Sequence, residues 1–288
     1  MAWSRWFNPL HANDQLTEPR QTALAELAIL VIQLGRCPRL EPEVHARIEL
    51  LRQIVLGAYS SPVLHRFINY GPVEAAIGDL VIWLALKGHG GEDIVPRRSL
   101  MQAIRDRNII ALERNPMRML ELRYFLDLAG IPHRIPTAAE LCRHSILGHK
   151  LNLDTLTDQS IYQVTHIIYY ASDFGALPRH RIPLNRSVDR IVRQLLHSMI
   201  EARHWDLVAE LVLAHRCLGL RDSPLVAQAW RQLKDAEERG DLFTFDAGLA
   251  RVQTLSEKHN ELFFLSTYHK PLVTTLAGHL PCHRAADR

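Results

Sequence analysis

The sequence lacks the features that mark secreted and membrane-spanning chains. Its first residues contain no long apolar run of the kind found in signal peptides. The most apolar stretch, residues 75–86, is interrupted by Asp79 and is too short to cross a bilayer. The four cysteines lie far apart, unlike the disulfide framework of a small secreted fold. These absences predict a soluble cytoplasmic protein with mostly free thiols.

The motifs of several enzyme classes are also missing. The chain has no GxSxG, Walker loop, GxGxxG or kinase motif set, so no nucleotide cofactor is expected. It has neither paired CxxC motifs nor HExxH, the common zinc signatures. The net charge is only +3, and the most basic stretch, residues 179–181 with Arg186, is short for a nucleic-acid track. We therefore expect a small-molecule or peptide substrate as the partner, and neither nucleic acid nor a membrane.

Helical periodicity is what the sequence has in abundance. Apolar residues recur at three- and four-residue steps, and segment ends carry proline, glycine or, at Thr137–Glu140, a capping-box pattern. No Asn-Gly or Asp-Gly hairpin joins alternating segments. The pattern predicts an all-α fold of antiparallel helical pairs, arranged as an α/α toroid, a solenoid or an irregular bundle. The predicted helices cover residues 22–34, 42–56, 72–86, 98–112, 116–129, 137–147, 158–172, 187–202, 205–218, 223–238 and 246–277, the last one broken near 268–271.

The length predicts a single helical domain over residues 1–288. A chain of this size, with 47% hydrophobic residues, buries a sizeable core without disulfides or metals. We expect residues 1–18 and 280–288 to be loosely ordered. If the chain subdivides, the boundary is expected near residues 177–185, which hold two prolines and several basic residues.

The segment of residues 158–175, which begins with the predicted helix 158–172, has an unusual polar face. A solvated helix face would carry Lys, Glu and Gln. This face, set by offsets of four, three, one and three residues, instead carries Tyr162, His166, Tyr169, Tyr170 and Asp173. Either the face lines a cavity, with His166 as a general base or metal ligand, or it is half-buried and His166 has a structural role. Both interpretations stay open from the sequence.

Other polar residues fall within helical patterns. His269 lies two residues before Pro271, near the expected helix break, where freed backbone groups and an imidazole can form a site. His215 lies on an apolar face, so it is either buried and neutral or it lines the same cavity. Asp206 and Glu210 are four residues apart, a spacing that costs a few tenths of a kcal/mol unless an ion or a base pairs the two charges. Exposed carboxylates are the simpler expectation for that pair.

Two short motifs carry a resemblance to a known family. They are Thr165-His166 followed by Asp173-Phe174-Gly175, and Tyr268-His269 followed by Leu272-Val273. With these motifs the chain resembles a helical family of unknown function found mainly in actinobacteria. The resemblance implies that His166, Asp173 and His269 are site residues. Lys270-Pro271, inside the second motif, departs from the usual residues there.

Two functions fit these features. The favoured one is an enzyme that acts on a small molecule or a peptide in a helix-lined polar cavity, with specialised metabolism as the expected setting. Its chemistry would be acid–base or metal-assisted, with His166, Asp173, His269 and Tyr170 as the catalytic set. If a divalent metal binds, its expected ligands are His166, His269 and His215. The alternative is a non-catalytic helical-repeat protein that binds or scaffolds a partner.

Overall fold

The computed structural model describes residues 7, 18–38, 40–61, 64, 73–106, 108–220, 223–239, 264–265 and 267–280. Within these ranges all regular structure is helical and no strand occurs, which confirms the all-α prediction. The choice among toroid, solenoid and bundle stays a prediction. The expectations for residues 1–17 (apart from Phe7), 246–263 and 281–288 lie outside the described residues.

Most helix boundaries lie within a few residues of the prediction, but the short helix Gly91–Ile94 was not predicted. The described residues contain twelve α-helices: α1 (Glu18–Gly35), α2 (Pro42–Tyr59), α3 (Val73–Leu86), α4 (Gly91–Ile94), α5 (Arg97–Asp106), α6 (Pro116–Ala129), α7 (Ala138–His144), α8 (Asp158–Ala171), α9 (Ser187–Glu201), α10 (Trp205–Cys217), α11 (Pro224–Glu238) and α12 (His269–His279). The helix predicted to reach residue 112 ends at Asp106 instead. Asn108 has a φ of 52°, a left-handed conformation that a continuing α-helix excludes.

The chain forms two compact units. Unit 1 comprises residues 1–113 and 122–135, and unit 2 comprises residues 114–121 and 136–288. The candidate boundary at residues 177–185 lies inside unit 2.

The core of unit 1 is built around α1, which packs against α2 and α3. Trp83 of α3 is fully buried, and its indole Nε1 donates to the carbonyl oxygen of Val95 at 2.9 Å. Asp79 of α3 carries a carboxyl group, and it is buried as well. Burial raises the pKa of its carboxyl to about 7, against a smaller opposing effect of the nearby Tyr59.

The core of unit 2 is built around α10. This helix packs against α8, α9, α11 and α12. Every residue from Leu207 to His215 is buried, and so is Cys217. A buried charge is costly unless it is paired and hydrogen-bonded. The acidic residues that α10 carries therefore need partners from the helices around it.

Two further expectations concern membrane-spanning helices and the state of the cysteines. None of the described helices is both long and apolar enough to cross a membrane. Cys142 and Cys217 are buried and form no disulfide, whereas Cys37 takes part in one. The expectation of mostly free thiols is therefore confirmed for two of the three described cysteines.

Candidate functional site

Helix α8 presents the polar face that the sequence predicts. The helix begins after Thr157, whose side chain accepts a hydrogen bond from the backbone N–H of Ser160. Its apolar residues Ile161, Val164, Ile167 and Ile168 are buried in unit 2. On the polar face Tyr169 and Tyr170 are buried, and Tyr162 and His166 are half-buried. The face thus belongs to the interior of unit 2 and is not a solvated surface.

Glu210 of α10 lies at the centre of this face. Its side chain is only 1% exposed, so its charge must be satisfied inside the protein. Its Oε2 accepts hydrogen bonds from the hydroxyls of Thr165 at 2.6 Å and Tyr169 at 2.8 Å. The same Oε2 lies 3.8 Å from Nε2 of His166. Two hydroxyls and an imidazole therefore surround this carboxylate oxygen.

His269 of α12 joins the two acidic residues of α10. Its Nε2 lies 3.4 Å from Oε1 of Glu210, and its Nδ1 lies 3.0 Å from Oδ1 of Asp206. The other oxygen of Asp206 accepts a hydrogen bond from the hydroxyl of Tyr162. The expectation of exposed carboxylates is wrong, since the two side chains are 14% and 1% exposed. A base pairs the two charges, which was the alternative that their spacing left open.

A third carboxylate, that of Glu121, also acts on His166. Glu121 of α6 accepts a hydrogen bond from the hydroxyl of Tyr170 at 2.9 Å and pairs with Arg118 at 2.7 Å. The charge of Glu121 helps to raise the pKa of His166. Carboxylates and imidazoles therefore alternate along one array, which we call the alternating cluster: Glu121, His166, Glu210, His269 and Asp206.

The ionisation of the cluster follows from competition between burial and pairing. Burial alone raises the pKa of Asp206 and Glu210, but their bonds with His269 and His166 outweigh it, so both carboxyl pKa values fall below normal. Burial lowers the pKa of His166, yet the nearby charges of Glu210 and Glu121 outweigh this effect and raise it. Each of these shifts favours the charged form of its group, because opposite charges lie close together in the cluster.

These shifts predict how stability depends on pH. Because the pKa of His166 is raised on folding, its stabilising contribution is complete below its unfolded pKa of about 6.5 and is lost as pH rises through the folded value. The difference in unfolding free energy between wild type and His166→Asn should therefore shrink from pH 6 to pH 9, as measured by urea denaturation. His144→Asn, which changes an exposed residue of α7, is the control. A difference that stays constant for His166→Asn would contradict the charged pairing.

Asp173 and His215 are not members of the alternating cluster. Asp173 is in the turn after α8, where Asp173, Phe174 and Gly175 all have positive φ. The turn stacks the ring of Phe174 on Tyr169, with centroids 5.5 Å apart. The carboxylates that face the two imidazoles are those of Asp206 and Glu210, and a catalytic role of Asp173 stays a prediction. His215 is fully buried on α10, at a position that its apolar neighbours indicated.

The described part of the chain offers no set of ligands for a metal ion. There, no group of three or more His, Cys, Asp or Glu residues is arranged to hold a metal ion. In the cluster itself, both ring nitrogens of His269 face carboxylate oxygens. The imidazoles are thus arranged as partners of carboxylates, which suits proton transfer.

Comparison with known proteins identifies the family but no function. No curated protein and no solved structure shows significant similarity to this chain. One family model matches residues 2–279, a range that includes every member of the alternating cluster. The match confirms that the chain is a member of a family of unknown function, as the sequence resemblance implied. Because the match covers nearly the whole chain, the protein belongs to the family described as Domain of unknown function (DUF6895).

Proposed function

We propose that unit 2 is an enzyme domain that performs acid–base chemistry on a small molecule or a peptide, with His166 as the general base. The proposal rests on the positions of the two ring nitrogens of His166. Nε2 faces the buried carboxylate of Glu210 at 3.8 Å, while Nδ1 makes no hydrogen bond with any described residue. The side chain is 27% exposed. One ring nitrogen is thus held by the protein and the other is available to a substrate.

The proposed step is a proton transfer from substrate to His166. The Nδ1 lone pair accepts the proton, and Nε2–H stays directed at Glu210, whose charge stabilises the resulting imidazolium. A positioned base of this kind contributes about 10²–10⁴-fold to rate. In the protonated state His166 returns the proton from Nδ1 and acts as the acid.

His269 has a different role in this proposal. Because both of its ring nitrogens face carboxylates, it is a positioning residue that fixes Asp206 and Glu210 on α10. Glu210 is in turn the carboxylate that orients His166. His269 therefore acts through Glu210 and not on the substrate.

The tyrosines on either side of His166 suit a substrate with an apolar or flat part. The rings of Tyr162 and Tyr170 lie one helical turn before and after His166, each with its centroid 6.3 Å from the imidazole. Their hydroxyls donate to Asp206 and Glu121. The carboxylates thereby fix the orientation of both rings, and the ring surfaces are proposed to contact the substrate.

The proposal also concerns the site in related proteins and its role in the cell. We expect the Thr165-His166 and Tyr268-His269 motifs to mark this site in relatives, which we expect to be mainly actinobacterial. We expect the enzyme to act in the cytoplasm, in specialised metabolism. We also expect its helices to enclose the site, as they would in a toroid. Genes adjacent to those of family members are the observation that checks this setting.

Turnover of an unknown substrate can be tested directly. Purified protein is incubated with a small-molecule and peptide extract of the source cells, and consumed compounds are identified by mass spectrometry. The compound consumed by wild type should be consumed at least about 100-fold more slowly by His166→Asn. His144→Asn, with an exposed imidazole on α7, should retain the wild-type rate.

The outcomes separate the enzyme from the scaffold hypothesis. Equal rates for wild type and His166→Asn would remove His166 from the mechanism. If wild type consumes no compound, the acid–base proposal fails and the non-catalytic binding hypothesis takes its place. Thermal melting of each variant shows whether a lost rate reflects lost folding.

A further inference from the structure

Positive charge is concentrated in one part of unit 2. Residues 179–197 contain five arginines and one aspartate, a net charge of +4, whereas the whole chain carries +3. All the remaining residues together therefore carry a net charge of −1. The segment comprises a short 3-10 turn, Arg179–Arg181, and most of α9. Charge in this chain is thus segregated, although the overall composition is nearly balanced.

Helix α9 displays this charge in one line. Its apolar residues Val188, Val192, Leu195, Leu196 and Ile200 are buried, so the helix is fixed in the core. The opposite side carries a row of exposed basic residues at steps of four, three and four, about 16 Å long. We call this row the basic ridge: Arg186, the N-cap residue of the helix, followed by Arg190, Arg193 and His197.

The ridge arginines lack ion pairs within the described residues. Two other arginines of unit 2 are paired: Arg118 with Glu121 at 2.7 Å, and Arg179 with Asp189 at 2.9 Å. Arg186, Arg190 and Arg193 form no ion pair with any described residue. Like charges three and four residues apart on a helix repel one another. A partner with negative charges at matching positions would relieve that repulsion.

We propose that the basic ridge binds an acidic α-helix of a partner protein. A helix with Asp or Glu at steps of four, three and four has the same axial spacing as the ridge. Arginine is suited to this role because its guanidinium pairs with a carboxylate through two parallel hydrogen bonds. Glu201 is exposed one turn beyond His197 and would pair with a basic residue of the partner. This pairing would fix the direction in which the partner helix runs along α9. This binding does not depend on the proposed acid–base function.

The composition of the ridge favours a protein over other polyanions. Every exposed residue of α9 is polar, so the helix has no apolar side chain to insert into a lipid surface. It also has no aromatic residue on which a base could stack. Three arginines and a histidine in a single row match one helix face, whereas nucleic-acid binding typically involves more phosphate contacts.

Synthetic peptides test the proposal on the full chain. The probe is an alanine-rich helical peptide of about 20 residues with Glu at steps of four, three and four. Its control has the same composition with the glutamates spread around the helix. In fluorescence anisotropy at about 50 mM salt, the striped peptide should bind at least about tenfold more tightly than the control and weaken at about 300 mM salt.

Charge reversal locates the binding. Simultaneous replacement of Arg186, Arg190 and Arg193 with Glu should weaken striped-peptide binding at least about tenfold. The same change at the exposed residues Arg98, Arg143 and Arg231 is the matched control and should leave binding unchanged. Circular dichroism verifies that both triple variants are folded. Equal binding of both peptides, an equal loss in the control variant, no binding at low salt, or tighter binding of duplex DNA or phosphatidylserine vesicles would each overturn the proposal.

Discussion

Replacing Glu210 with glutamine is expected to lower the free energy of unfolding by about 3–5 kcal/mol, the cost of breaking a buried ion pair. The side chain is 1% exposed and its two oxygens face His166 and His269. Glutamine still accepts hydrogen bonds from Thr165 and Tyr169, but it leaves the imidazoles without the negative charge between them. Urea denaturation at pH 7 measures the loss.

A more exposed ion pair provides the control for Glu210→Gln. Asp189 pairs with Arg179 at 2.9 Å, and both side chains are partly exposed. Asp189→Asn is therefore expected to cost about 1 kcal/mol or less. The Glu210 variant should also lose part of the acid sensitivity of wild type, because the lowered pKa of Glu210 ties stability to its ionisation. If Glu210→Gln is as stable as wild type, the imidazoles do not depend on this charge.

Replacing His269 with alanine is expected to cost a similar amount, about 3–5 kcal/mol at pH 7. The change removes the base that lies between Asp206 and Glu210, and it leaves two carboxylates one helical turn apart in the interior. Lys270→Ala is the control, since Lys270 is also half-buried and its charge also acts on Asp206. That neighbouring change should cost about 1 kcal/mol or less.

The pH dependence of the His269 variant separates charge from packing. Without His269, burial of the carboxyls of Asp206 and Glu210 is opposed by fewer partners, so their pKa values rise relative to those in the wild-type protein. A penalty of this kind is largest at high pH and shrinks as pH falls from 7 to 5. A penalty caused by lost packing would be the same at both pH values. A pH-independent loss would therefore contradict the pairing of His269 with both acids.

The helices could be predicted because their signals are local. The capping box at Thr137 is present as expected, with Glu140 as its partner. Helix α6 begins at Pro116 and ends at Ala129, as its proline and glycine boundaries indicate. The end of α5 was missed because Asn108 adopts a left-handed conformation within an otherwise helical pattern. No glycine or proline near that turn signals the break.

The candidate site could be predicted only in part. His166 and Tyr170 were found because an imidazole and a phenol are unusual on an apolar helix, and His269 because it lies near a proline. Asp206 and Glu210 gave a weaker signal, their like charges at a four-residue step. Glu121 gave no signal, because a single glutamate on α6 looks like any exposed residue. Its contact with Tyr170 depends on tertiary packing across 49 residues of sequence.

The hydroxyls around Glu210 have a consequence for where a proton can reside. Thr165 has two acceptors within reach, Oε2 of Glu210 and the carbonyl oxygen of Tyr162, and Tyr169 likewise reaches Oε2 and the carbonyl oxygen of Glu210. Each hydroxyl has a single hydrogen to donate. If Glu210 takes up a proton, both hydroxyls can turn to these carbonyl oxygens, and the carboxyl can donate to one of them. The centre of unit 2 is therefore able to store a proton without leaving a polar group unsatisfied.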